Sequence, residues 1–130
     1  GKQKLHLWRS QYVQSMVEHK AHRIGMHVSR ICAWGTSRLA FDGSGSVLRG
    51  READLGSYSV CQFRTGKIYN CDLNASYNIG ARYYIRELLK SVPAKVRLAL
   101  EAKVPQAAMR STCTLSVLIN LNAELVSMAA

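Results

Sequence analysis

Apolar side chains recur at helical spacing from Trp8 through Tyr12, Val13, Met16, Val17 and Ala21 to Ile24, with Lys20, His22 and Arg23 off that face. The spacing predicts a first helix, and Gly25 suits the left-handed residue that follows a helix end. The run Met26 to Trp34 then carries Val28, Ile31 and Cys32 and fits a short buried strand better than another helical turn. A helix feeding a strand predicts a layered α/β packing.

From Gly35 to Gly66 glycines interrupt short apolar pieces, and the pattern changes to hairpins. Arg38 to Phe41 and Val47 to Arg49 flank Asp42-Gly43-Ser44-Gly45 as the arms of one hairpin. Tyr58 to Phe63 and Lys67 to Cys71 flank Arg64-Thr65-Gly66 as a second. Beyond them Leu73, Tyr77, Ala81, Tyr84 and Leu88 trace one face of a long helix, and Asp72 stands where it would cap that helix. A further helix is expected after Pro93, with Val96, Leu100 and Val104 on one face, and another from Thr114 through Leu115, Leu118, Ile119, Asn122 and Leu125. Gln106 to Ser111 reads as a linking loop.

Composition narrows the partner. With 130 residues and 48% hydrophobic side chains the chain can bury one modest core, so one domain is expected. Eighteen Lys and Arg against eight Asp and Glu leave a formal net charge of +10, which calls for a polyanion and makes nucleic acid the default. The apolar residues between Leu5 and Ile24 are too interrupted by charge to span a bilayer, and no signal-peptide pattern opens the chain, so a cytoplasmic protein with no membrane partner is expected. The lack of an initiator methionine predicts that residue 1 is not the natural start. Cys32, Cys61, Cys71 and Cys113 are spread widely and read as reduced thiols, with Cys32, Cys61 and Cys71 as small buried hydrophobes. The histidines His6, His19, His22 and His27 read as solvated residues and not as a metal set.

An isolated Asp before a helical pattern is most often a cap, and context must assign Asp72 anything more. That context is a motif order: Thr36-Ser37, a glycine at Gly43, another at Gly66, and then Asp72-Leu73-Asn74-Ala75-Ser76-Tyr77-Asn78-Ile79. The order resembles the C-terminal region of the OrfB/TnpB family of insertion-sequence transposases, which is related to the type V CRISPR effector nucleases. In that family Thr-Ser, two Cys-x-x-Cys-Gly knuckles and Asp-x-Asn-Ala-x-x-Asn-Ile close a RuvC-like nuclease domain. Trp8, Gln11, Lys20-Ala21, Gly25 and Val28 fit the family's preceding segment, so the resemblance runs from about Leu5 to Leu89.

The resemblance implies a partial RNase H-like α/β layer carrying a β-ribbon insert like a zinc ribbon that has lost its cysteines, followed by C-terminal helices. Residues 1–34 would give a helix and strand of the RuvC-like domain, 35–71 the insert, 72–90 the RuvC-like helix, and 91–130 a helical extension. Asp72 would be the third acid of a site in which carboxylates hold two divalent ions, Mg²⁺ or Mn²⁺, that activate water and stabilise the leaving oxygen of a phosphodiester. The family's other two acids lie upstream of the matching region, so this chain alone is expected not to cut. Ala40 and Gly43 stand where the first cysteine pair belongs and Gln62 and Thr65 where the second does, so zinc is expected to be absent and Phe41, Tyr58, Val60 and Phe63 to hold the ribbon.

The implied partners are DNA, a guide RNA and the upstream part of the same RuvC-like domain. Asn74, Asn78 and Arg82 fall at i, i+4 and i+8 and would line one helix edge beside Asp72; Arg38, Arg49, Arg51, Arg64 and Lys67 decorate the ribbon and would meet phosphates. Two alternatives stay open: a catalytically dead nucleic-acid-binding relative, and an unrelated basic RNA-binding protein, which leaves the Asp72 block unexplained.

Overall fold

The structure, a computed structural model, describes residues 15–16, 18–21, 23–24 and 30–129. The chain divides into two compact units, the second beginning at Ile31. In the first, the described residues from Ser15 to Arg23 are helical, and the Ile24 N–H closes the last turn on the carbonyls of Lys20 and Ala21, 3.3 Å from each. Arg30 grips Glu18 through two guanidinium nitrogens. Trp8, Tyr12, Val13, Val17, Gly25 and Val28 lie outside the described residues, as do His6, His22 and His27.

The second unit is mixed α/β. Its ribbon starts with an isolated antiparallel bridge between Leu39 and Ser46, flanked by bonds from the Ala40 N–H to the Gly45 carbonyl (2.9 Å) and from the Val47 N–H to that of Arg38 (2.8 Å). The chain continues as β1 (Leu48–Arg49), and after a 3-10 turn at Gly50–Ala53 it returns as β2 (Val60–Gln62) and β3 (Ile68–Asn70). The three strands form one antiparallel sheet in the order β1-β2-β3, with Arg49 opposite Cys61 and Cys61 opposite Tyr69. Both predicted hairpins are therefore present, and they are joined because β1 leaves the first hairpin to pair with the second.

Two turns close the ribbon in the same way. The Gly43 N–H bonds the Ala40 carbonyl and the Gly66 N–H bonds that of Phe63, with φ at +83° and +94°, a region that costs a side-chain-bearing residue strain. Their surroundings differ: a Cβ on Gly43 would meet Ser116 Oγ at 2.6 Å, whereas one on Gly66 meets nothing within 4 Å. Gly43→Ala should therefore cost about 1–2 kcal/mol more than Gly66→Ala, because the two share the backbone penalty and only the first adds a clash. Urea melts of the two variants check this, and equal losses would mean that Ser116 yields freely.

Three α-helices follow: α1 (Cys71–Ser91), α2 (Ala94–Lys103) and α3 (Leu115–Ala129). The cap of α1 is Asn70, not Asp72. The Asn70 side chain accepts from the Leu73 N–H at 2.9 Å, and Asp72 sits in the first turn, where its charge still favours the positive helix end. Pro93 precedes α2, and Val96 and Leu100 on it, with Val104 just past its end, face inward as their spacing predicts. The stretch expected to be a loop folds into two 3-10 helices, Pro105–Ala108 and Arg110–Thr112, and Thr114 Oγ1 accepts from the Val117 N–H in the first turn of α3.

The strand expected through Ile31 and Cys32 is not formed, since Ile31 to Ala33 have no regular structure. The carbonyls that a neighbouring strand would take are taken by a side chain: Arg82 Nη1 donates to Cys32 O at 2.7 Å and to Trp34 O at 2.6 Å.

Apolar burial falls in two clusters. Ala40, Val47, Cys61, Phe63 and Cys71 fill the ribbon, and Ile85, Leu100, Val104, Ala107, Cys113, Val117 and Leu121 fill the space between the helices. α1 spans both, with Cys71 in the first and Ile85 in the second. Its middle turns bury Asn74, Asn78 and Arg82 instead, so a polar layer separates two apolar ones. Among the described residues no helix is long and apolar enough to cross a membrane.

Candidate nucleic-acid interface around Asp72

Asp72 is exposed on the first turn of α1, directly after β3, and it is held there by the two asparagines that follow it. Asn74 is fully buried; its Nδ2 donates to Leu39 O (2.9 Å) while its Oδ1 accepts from the Phe41 N–H (2.8 Å). Asn78, also fully buried, donates to Leu39 O (2.7 Å) and Thr36 O (3.0 Å) and accepts from the Leu115 N–H (3.2 Å). A side-chain amide suits these places because it offers both donors and an acceptor, and backbone groups buried under a helix need both.

Arg82 extends the same seam by one more turn. Besides Cys32 and Trp34, its guanidinium donates to Ser111 O (3.0 Å) and Cys113 O (2.9 Å), so one planar fork holds two loops against α1. Burial pulls its pKa below the ordinary arginine value, and the four carbonyl dipoles keep the charge solvated without a carboxylate. Asn74, Asn78 and Arg82 thus share one helix edge as their spacing predicts, but that edge faces the protein. Their polar atoms are spent on backbone and not offered to a phosphate.

The apolar stripe is displaced correspondingly. Leu73, Tyr77 and Tyr84, expected on the inner face, are exposed, and only Ala81 of that series is fully buried. Tyr84, Leu88, Leu118 and Ile119 line an open groove between α1 and α3.

The ribbon cations are for the most part exposed. Arg38, Arg51, Arg64 and Lys67 are exposed, whereas Arg49 is half-buried and donates to Tyr58 O at 3.2 Å. Lys67 Nζ lies 5.0 Å from the ring centre of Tyr69 and 5.7 Å from that of Phe41. Those two rings belong to an aromatic cluster in which Phe41 meets Phe63, Tyr69 and Tyr77 edge to face at 5.0–5.5 Å. Of the four residues expected to hold the ribbon, Phe41 and Phe63 join this cluster, Val60 is half-buried and Tyr58 is exposed, while Tyr69 and Tyr77 are partners that sequence reasoning missed. Alternation along β3 puts Tyr69 opposite Cys61, which was readable, but the approach of Tyr77 depends on how α1 docks.

No known protein-family model, curated protein or solved structure matches this chain.

At the positions that resemble cysteine knuckles, Ala40 is buried at the start of the first turn, Gly43 closes it, Gln62 ends β2, and Thr65 is exposed at the tip of the second turn. All four cysteines are free: Cys61, Cys71 and Cys113 are buried and Cys32 is partly exposed. Burial and the neighbouring Cys71 thiol push Cys61 up to about 11, which keeps it a neutral, poorly nucleophilic thiol at physiological pH. Burial also raises Cys113. Among the described residues no three His, Cys, Asp or Glu side chains gather at metal-ligand distance. A hard divalent ion needs several oxygen ligands, so Asp72 with the described residues around it does not constitute a Mg²⁺ site.

Proposed function

We propose that this chain is the closing segment of a RuvC-type nuclease similar to the OrfB/TnpB transposases, binding nucleic acid through its ribbon and presenting Asp72 to acids supplied from outside it. The observation that carries this reading is the use the fold makes of the Asp-x-Asn-Ala-x-x-Asn-Ile block. Asn74 and Asn78 fasten the stretch after Thr36-Ser37 and the first glycine turn to the helix on which Asp72 stands. Motif elements separated by some forty residues are thereby one mechanical unit, giving a physical reason for their shared order. The net charge of +10 supplies the affinity for DNA and for a guide RNA.

Cleavage is the property of the larger assembly in this reading, because the remaining metal ligands come from other parts of the nuclease. The isolated chain should bind DNA and leave it intact in Mg²⁺ or Mn²⁺; cleavage lost on Asp72→Asn would contradict this. Replacing Arg38, Arg51, Arg64 and Lys67 together by alanine should weaken duplex binding and flatten the slope of log affinity against log salt by up to about 0.9 per phosphate contact removed. An unchanged slope would remove the ribbon from the interface. A binding relative that no longer cuts is the second reading, favoured by Ala40, Gly43, Gln62 and Thr65 standing at the knuckle positions.

A further inference from the structure

The geometry points to a stacking site for an unpaired nucleobase on Tyr77, with Lys67 and Arg64 taking the adjoining phosphates. The inference rests on the nucleic-acid reading above and gives its ribbon a preference for single strands. Tyr77 is 40% exposed although it belongs to an aromatic cluster. Phe41 stands 5.1 Å from it edge to face and Tyr69 6.5 Å from it, so the ring is packed against the cluster while two-fifths of the residue stays open to solvent. Phe63, fully buried, stacks on Tyr69 at 5.6 Å and fixes the floor of the cluster. A rigid aromatic surface that is open outward suits a base, since every base has a π-face and ordering the ring costs no further entropy.

Cations stand at the rim of the same surface. The second glycine turn carries both Arg64 and Lys67, and Lys67 rests over the rings of Tyr69 and Phe41 with its ammonium exposed. Arg64 lies against the other turn, where a Cβ on Gly45 would meet its Nε at 3.3 Å. Asp42 accepts from the Ser44 N–H at 2.9 Å, and among the described residues neither Arg64 nor Lys67 forms an ion pair. In a duplex the bases are already stacked on one another, so this surface serves only a strand that exposes them.

The test is fluorescence anisotropy of the full chain with labelled oligothymidylate and, separately, with a labelled blunt duplex. Tyr77→Leu should weaken the single strand about 5- to 150-fold, the range one base–aromatic stack supplies, and leave the duplex unchanged. Tyr77→Phe and Tyr77→Trp, which keep a ring, should hold or tighten the single strand, so an effect of Leu is assigned to the lost π-face and not to lost folding. Lys67→Ala should lower the single-strand salt slope by about 0.7. Wild-type affinity in Tyr77→Leu, or equal loss for both nucleic acids, overturns the stacking site while leaving the ribbon a binding surface. Absence of binding to either nucleic acid by the wild-type chain overturns the stacking site and the functional reading together.

Discussion

Arg82→Met should lower stability by about 3 kcal/mol or more, the largest loss expected from a single substitution in this chain. The methionine fills much of the same volume but donates nothing, so Cys32, Trp34, Ser111 and Cys113 each lose a charged donor within 3.0 Å. A hydrogen bond to a charged group contributes about 1.5–3 kcal/mol net, and four do not add because loosened loops recover water. With a urea slope of about 2 kcal/mol per molar the midpoint should fall by about 1.5 M. Arg82→Lys should recover little, because an ammonium cannot span two loops as a planar fork does. A midpoint within experimental error of wild type would mean that the seam along α1 is not what joins the ribbon to the helices.

Asn78→Asp is the second large effect, and it depends on pH. The substitution keeps the shape but replaces two donors facing Thr36 O and Leu39 O with an acceptor, while the bond from the Leu115 N–H survives. Two acceptor pairs then face each other in a buried site, at a cost of about 2–4 kcal/mol at neutral pH. The sign of the pH dependence follows from the charged form being disfavoured in the fold. Its folded pKa is raised above the unfolded value of about 3.9, so the penalty is least below that value and grows as pH rises toward the folded pKa. Denaturation of Asn78→Asp beside wild type at acid and neutral pH should show the gap widening with pH. A gap that is constant, or that narrows, would contradict the hydrogen-bond assignment.

The two hairpins were legible because Gly43 and Gly66 sit in turns that require positive φ and because apolar residues alternate around them. The helices after Pro93 and Thr114 were legible from their apolar spacing, and Val96, Leu100 and Val104 face the core as expected; in the last helix, however, Val117 and Leu121 are the buried residues, whereas Ile119 and Asn122 of the expected face are exposed. α1 was read with the right length and the wrong face. Periodicity counts a polar residue as outward, but Asn74, Asn78 and Arg82 are inward because they satisfy loop carbonyls and amides that have no strand to pair with. Tyr77 and Tyr84 are left outside as a consequence. The same substitution of side chain for strand explains Ile31 and Cys32, whose apolar run looked like sheet.

The candidate site divides in the same way. The spacing of Asp72, Asn74 and Asn78 was visible in the sequence, and so was the charge of Arg64 and Lys67. What the spacing withheld was the role of each residue: Asn70 does the capping, Asn74 and Asn78 fasten the ribbon, and of Asp72, Asn74 and Asn78 the acid alone is exposed. Caps one or two residues apart differ by the turn in which the helix begins, which the hydrophobic pattern fixes no better than that.

The most direct measurement is Mg²⁺-dependent DNA cleavage by the full-length product of the gene that encodes this chain, with Asp72 intact and as Asp72→Asn. The predicted result is cleavage that falls to background in the variant while DNA affinity does not fall and stability drops by no more than the roughly 0.3–1 kcal/mol that a carboxylate in the first helical turn contributes. Cleavage that is equal in both proteins, or absent from both, would contradict the assignment of Asp72 to a nuclease centre and leave it a charge in the first turn of a helix.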